Sequence, residues 1–209
     1  MPKPPTNQGR RFSPEPLTQA ELGTLIAAVP VTSNSGIRLR ALIAVMSGAG
    51  LRVEETLNLE PRDIDLQDCT IRVREGKGGK FRTVGINAGA ATHLARWLDR
   101  RPSLGLTARN RVFATYETGK VGRPLQQRYV RAALRRAGDR AGITKRVHPH
   151  GLRHSLAYRM AQQGKPTHAI QAQLGHGSLA VTDRYVKHLM PADVIQVVRD
   201  LDWFEAEPD

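Results

Sequence analysis

Cysteine is nearly absent from this chain: Cys69 is the only one in 209 residues. No disulfide can close within the chain, and no cysteine-based metal site can form. A reducing cytoplasm suits such a sequence. Aromatic side chains are also scarce, at 5% of the total, which argues against base stacking on aromatic platforms as a binding mode. No apolar run approaches the roughly 18 residues that a membrane-spanning helix needs. The N-terminus carries no secretory signal, so no membrane partner is expected. Acidic residues are outnumbered, 19 against 32 lysines and arginines, for a formal charge of +13 and a pI near 10.8. A surface of that sign favours a polyanion as partner. Ribosomal and merely soluble basic proteins share this balance, so composition alone does not decide. The length suits one domain, or one domain with a short arm.

Residues 1–16 are rich in Pro, Gly and polar residues and read as a disordered or extended arm. Thr18 with Glu21 three residues later forms a capping-box signature, which predicts a helix over 18–29. Residues 30–36 read as a loop. Apolar residues at helical spacing (Leu39, Leu42, Ile43, Met46) predict a helix over 37–47, broken by Gly48 and Gly50. A short helix follows over 52–59. The period then changes. Residues 70–74 and 81–86 alternate like strands around the glycine-rich Glu75-Gly76-Lys77-Gly78-Gly79-Lys80, which predicts an antiparallel hairpin with lysine at its tip. Further helices are expected over 88–101, 124–141, 150–163, 166–174, 178–189 and 191–201, with a loop at 102–109 and a brief strand at 112–113. The fold class is α+β, mainly helical, with a small antiparallel sheet. No internal repeat is visible.

The segment from His150 to Tyr185 holds the chemistry. It contains His150-Gly151-Leu152-Arg153-His154, then Leu174-Gly175-His176 with the histidine twenty-three residues past Arg153, then Tyr185 nine further on. A phenol is a poor nucleophile at neutral pH, and surrounding cations activate it. Taken alone, Tyr185 also reads as a helix tyrosine packing its ring and wetting its hydroxyl. Pro149 suits a helix first turn, which puts His150 and Arg153 at i and i+3 on one face, able to point at one phosphate. The planar fork of arginine matches two phosphate oxygens. His154 falls on a different face and reads as a core or supporting histidine. The trio His148, His150 and His154 has no familiar zinc spacing and no nearby carboxylate, so no metal is expected. Gly175 turns the backbone before His176, which otherwise reads as an exposed loop histidine. Arg52 needs a partner if buried, and Glu55 at i+3 offers one. Lys77 can contact a phosphate or, with a tuned pKa, protonate a leaving oxygen. The Gly-Lys-Gly-Gly-Lys run lacks the P-loop order and lies between strands, so it is not a nucleotide site.

Together these residues resemble the tyrosine recombinase (phage integrase) family. The carrying pieces are Gly50-Leu51-Arg52 with Glu55 and Leu57, followed by Asp63-Ile64-Asp65; Gly76-Lys77-Gly78-Gly79-Lys80 with Arg82; His150 with Leu152-Arg153-His154; Leu174-Gly175-His176; and Tyr185. The opening Leu17-Thr18 with Glu21-Leu22 looks like the usual start of the catalytic domain. The match runs over about residues 17–200. Each piece alone is common, whereas all of them in this order and spacing are highly specific.

The resemblance implies the catalytic-domain fold of the DNA breaking-rejoining enzymes over residues 17–204, with 1–16 as an arm and 205–209 as a tail. It implies site-specific recombination of double-stranded DNA, by integration, excision or inversion, in a phage or mobile element. Tyr185 would attack the scissile phosphodiester and form a 3′-phosphotyrosine link, freeing a 5′-hydroxyl. Arg52 and Arg153 would clamp the non-bridging oxygens. His176 would hydrogen-bond one of them, Lys77 would protonate the departing oxygen, and His150 would assist proton transfer or hold the phosphate. Glu55 would support the pocket. One phosphodiester is exchanged for another, so no cofactor is implied. Lys80, Arg82, Arg123, Arg128 and Arg131 are expected on the DNA, with part of the basic stripe that also holds Arg135, Arg136 and Arg140 left to solvent. Val194, Ile195, Val197, Val198 and Leu201 form an apolar stripe that packs on its own domain or docks on a neighbour, linking a tetramer on DNA. Accessory DNA-bending proteins and a cytoplasmic, nucleoid-associated location go with that reading. The family usually carries a helical core-binding domain ahead of the catalytic one. Here 16 residues precede the match, as in an excised catalytic domain or a naturally short member such as the fimbrial invertases. Glu54 and Gly177 stand where small polar residues are common. Two other readings use the same residues: a type IB topoisomerase-like enzyme, and a DNA-binding protein on an inactivated fold. The C-terminal stripe speaks against the first of these and the filled catalytic positions against the second.

Overall fold

The computed structural model describes residues 15–74 and 81–175. Lys77, Lys80, His176, Tyr185, the expected helices over 178–189 and 191–201, and nearly all of the arm lie outside the described residues. The elements in chain order are α1 (Gln19–Ala27), α2 (Asn34–Gly48), α3 (Val53–Asn58), β1 (Ile64–Asp65), β2 (Thr70–Arg74), β3 (Phe81–Gly85), α4 (Ala88–Arg100), α5 (Gln127–Arg140), α6 (Pro149–Gln162) and α7 (Thr167–Leu174). The strands form one antiparallel sheet in the order β1-β2-β3, with Ile71 opposite Val84 and Val73 opposite Arg82. Ile71, Val73 and Val84 turn their side chains into the core. Among the described residues, no helix is long and apolar enough to cross a membrane.

The central element is α2, which packs against α4 and α6. Most of its residues are buried, from Leu39 through Gly48 with the exception of Arg40. Ser33 caps it, its hydroxyl accepting from the Gly36 N–H at 3.1 Å. The helix therefore begins three residues earlier than the apolar period indicates, because a Ser-Asn-Ser run can cap as well as loop. Arg38 is carried into the interior at 1% exposure. Among the described residues, no carboxylate accepts from it. Its guanidinium donates to the Ala114 carbonyl at 2.8 Å and the Tyr129 hydroxyl at 3.1 Å. It also lies over the rings of Tyr116, Tyr129 and Trp97, at 4.5, 5.3 and 5.9 Å from their centroids. Ring quadrupoles and carbonyl dipoles thus take the place of a counter-ion.

The capping box at Thr18 and Glu21 is formed, and Lys145 reaches Glu21 at 2.9 Å. Leu17 N–H donates to the buried Ser155 hydroxyl at 2.8 Å, which ties the start of the described chain to α6. Three local expectations change. Residues 112–113 are not a strand: Val112 N–H donates to Leu59 O at 2.8 Å, and the bridge in this region pairs Ala114 with Pro124. That bridge holds Pro124 extended, so α5 starts at Gln127 instead of 124. β1 adds a third, two-residue strand to the expected hairpin.

A second, smaller apolar cluster joins α6 and α7 through Leu156, Ala157, Ala161, Ile170 and Leu174. Only Ile170 and Leu174 of α7 are buried. Little apolar area therefore holds this helix, and its polar ties carry correspondingly more of its placement.

Candidate active site

α3 starts at the surface, and its third residue, Glu55, turns back on the helix start. One oxygen of its carboxylate accepts from the Arg52 N–H at 2.8 Å, and the other from the Arg52 guanidinium at 2.7 Å. Arg82 on β3 donates to both oxygens, at 3.1 and 3.0 Å. Arg153 on α6 approaches to 3.9 Å. Burial pushes the Glu55 carboxyl up, but the bonds from Arg82 and from the Arg52 backbone outweigh it and hold the group below its ordinary value. One carboxylate thus organises three arginines from three elements. Glu55 as partner of Arg52 was legible at i+3. Arg82, expected on the DNA, has a side chain that is 12% exposed, and both of its terminal nitrogens are engaged by Glu55.

Arg153 is 2% exposed and forms the floor of the site. It donates to Gly50 O at 2.6 Å and to Leu174 O. Arg52 keeps 47% of its side chain exposed and donates to Gly175 O at 3.0 Å. Gly50 sits at φ +73°, where a side chain would also strike the methyl carbons of Leu174 and Leu156 at 2.7 and 2.8 Å. Gly175 ends α7 at φ +61°, and a side chain there would meet the Arg82 guanidinium at 2.7 Å.

Above this floor opens a cleft of about 640 Å³. Arg52, Arg153 and His150 line it, together with Arg131 and Arg135 of α5 and Arg146 of the loop before α6. The N-terminus of α6 opens on the same space, and its dipole adds to the positive potential. The cap is His148, whose Nδ1 accepts from the Gly151 N–H at 3.2 Å. Burial, then the neighbouring Arg146 and His150, push the His148 imidazole below its ordinary pKa. Among the described residues, five arginines and a single carboxylate, Glu54, line the cleft. Gln127 donates to Glu54 at 2.8 Å, joining α5 to α3 across the opening. The arrangement can bind an anionic oxygen from several sides and compensate charge that grows on it.

Of the expected residues within the described chain, Arg52, Arg153, His150 and Arg131 come to one cleft, with Glu55 beneath. Arg123 and Arg128 are exposed and do not line it; Arg123 lies in the loop before α5. His154 is not on a separate face from His150: the two rings meet edge to face, 3.8 Å between centroids, as i and i+4 on one helix. Arg146 went unnoticed in the sequence, although the basic pair Lys145-Arg146, one residue ahead of a helix-opening His-Pro, is a readable signal. Gln173, described below, had no such signal.

The phage integrase family model matches residues 15–191. The chain belongs to that family, the tyrosine recombinases. It is 35% identical over 175 residues to tyrosine recombinase XerC of Haemophilus ducreyi, covering 84% of this chain and 55% of that one. It is 36% identical over 187 residues to XerA of Pyrococcus furiosus, covering 86% and 60%. The chain therefore spans a little over half the length of these curated relatives. Among solved structures, XerA recombinase superposes with a TM-score of 0.76 at 32% identity, over 93% of this chain and 68% of that one. XerH recombinase bound to its palindromic difH substrate, in a post-cleavage complex, gives 0.73 at 26%, over 90% and 54%. The mainly helical α+β architecture with its small antiparallel sheet is thus the fold of tyrosine recombinase catalytic domains.

Proposed function

We propose that this chain catalyses site-specific DNA recombination, with residues 17–204 as the catalytic domain. The observation that carries the reading is the convergence of Arg52, Arg153 and His150 on one arginine-lined cleft. The scissile phosphate lies between the two arginines, which hold its non-bridging oxygens. The Tyr185 oxygen attacks phosphorus, the bond to the 5′ oxygen breaks, and a 3′-phosphotyrosine link remains. Lys77 gives a proton to the departing 5′ oxygen. His176 hydrogen-bonds the phosphate, and His150 holds it or relays a proton. Glu55 keeps the arginines in place and does not react. Reversal with a new 5′-hydroxyl rejoins the strands, so the exchange needs no external energy.

The partner is a double-stranded recombination site, tracked by Lys80 and by exposed arginines including Arg123, Arg128 and Arg131. Protomers assemble as a tetramer on DNA through the apolar stripe of residues 194–201, with accessory DNA-bending proteins, in the nucleoid of the cytoplasm. A phage or other mobile element is the source that suits an integrase. The reading is tested with a nicked suicide duplex in the presence of EDTA. A covalent protein–DNA adduct on a denaturing gel, lost in Tyr185→Phe, is the expected result. DNA binding without any adduct on every candidate site would sink it. Removing either clamp arginine should slow cleavage roughly 10²–10³-fold.

A further inference from the structure

Gln173 lies in the last turn of α7 and does not line the cleft. Its side-chain amide nonetheless makes three bonds to two other elements. Oε1 accepts from the Gly85 N–H at 3.1 Å, while Nε2 donates to Gly85 O at 2.7 Å and to Ala49 O at 2.9 Å. Gly85 ends β3, one of the two outer strands of the sheet, so the amide pairs with its outward N–H and C=O as a neighbouring strand would. Ala49 is the C-cap of α2 and directly precedes Gly50. One side chain thus ties the end of α7 to the end of the sheet and to the end of the central helix.

The next two carbonyls of the chain are those on which the clamp arginines rest. Leu174 O accepts from Arg153, and Gly175 O from Arg52 at 3.0 Å. Gly50 O, adjacent to Ala49, takes the other branch of Arg153. His176 is the following residue in the sequence. With only Ile170 and Leu174 of α7 buried, apolar packing sets the depth of this helix but fixes its rotation and axial position weakly. Three directional bonds at Gln173 supply the missing constraint.

We infer that Gln173 is a positioning residue for DNA cleavage: by pinning the last turn of α7 to β3 and α2, it sets where Leu174 O and Gly175 O hold the guanidinium groups of Arg153 and Arg52. The inference rests on the recombinase reading of the cleft. Both bonds to Gly85 are solvent-exposed, so water replaces them when the amide is lost, and folding is little affected while position is lost. A misplacement on the order of 1 Å in a reacting site costs roughly 10²-fold in rate.

The test uses the full chain and a nicked duplex carrying a site that the protein itself selects from a randomised pool. Gln173→Met fills the same space without hydrogen bonds. Gln173→Glu keeps the acceptor for Gly85 N–H but loses both donors, and it carries the test if the methionine variant folds poorly. The variants are expected to melt within a few degrees of the parent and to bind the duplex within about threefold. Single-turnover adduct formation should fall roughly 10²-fold. On a duplex whose scissile phosphate is a neutral methylphosphonate, the deficit should shrink at least tenfold, because a neutral centre has little need of guanidinium charge. A merely structural role would lower both substrates alike, and that result overturns the inference, as does a parent-like rate. A parent protein that forms no adduct on the selected site sinks the recombinase reading itself, and the role of Gln173 with it.

Discussion

Arginines repel one another, yet three of them meet on the carboxylate of Glu55, at 2.7 Å for Arg52, 3.0 Å for Arg82 and 3.9 Å for Arg153. Neutralising that carboxylate removes the negative charge to which Arg52 and Arg82 are bonded and which Arg153 approaches. Glu55→Gln should lower stability by about 2–3 kcal/mol, the lower side for a broken buried pair because the site keeps a wet edge. For a chain of this size that is roughly 5–10 °C in Tm, read by a thermal melt at pH 7; an unchanged Tm would refute the organising role. The folded-state pKa of Glu55 lies below its ordinary 4.5, so its contribution is complete above that pH and is lost as pH falls through the folded value. His148 works in the opposite charge sense. Its pKa is depressed from 6.5 in the folded state, so the unfolded chain takes up the proton first and stability declines as pH falls below 6.5. Protonation also removes the lone pair that caps α6. His93, depressed by burial and by Arg40 and Arg96, adds a slope of the same sign. His148→Asn keeps a capping oxygen and should flatten, without abolishing, the loss of Tm between pH 7.5 and 5.5. An unaltered slope would mean that His148 does not couple to folding.

At the level of elements, α7 buries only Ile170 and Leu174 and is tied at its C-terminal end by polar bonds. Gly50→Ala should show this directly. The αL conformation costs a residue with a Cβ about 1–2 kcal/mol, and crowding of Leu174 and Leu156 adds about 1–3 kcal/mol. A total loss of about 2–5 kcal/mol in a urea titration is expected, with hydrogen exchange in α7 accelerated before that in α2. Equal acceleration in both helices would contradict a local effect. Local signals account for what was legible in the sequence. The capping box at Thr18, the period of α2, the alternation of β2 and β3 and the Pro149 start of α6 all lie within a few residues of what they determine. The start of α2 at Asn34 was missed because Ser33 reads equally as cap or loop. β1 has two residues, too few for an alternation. Arg82 stands 27 residues from Glu55, and Gln173 stands 88 from Gly85, so neither pairing leaves a local trace. Arg38 looks like a surface arginine in the sequence, since nothing near it announces three aromatic rings brought in from α4, α5 and the loop between them.

For the whole molecule, the charge of +13 is spread unevenly, and DNA binding should reveal the pattern. Arg131 and Arg135 line the cleft, whereas Arg136 and Arg140 line a separate groove with Ser33 and Tyr129. Each phosphate neutralised contributes about −0.9 to the slope of log K against log salt. Arg131→Ala and Arg135→Ala should each reduce that slope by about one phosphate, and Arg136→Ala and Arg140→Ala should leave it near the parent value. Equal effects from all four would mean that the duplex does not follow the cleft. The sheet has a consequence of a different kind. An exposed strand edge is a template on which another chain can add and begin to aggregate. Here one outer strand, β1, has only two residues, and the other, β3, has the backbone of Gly85 already paired by a side-chain amide. Loss of that amide opens the outward N–H and C=O of Gly85 in a strand that also carries the exposed Phe81, so this glutamine also guards the sheet against self-association through its strands.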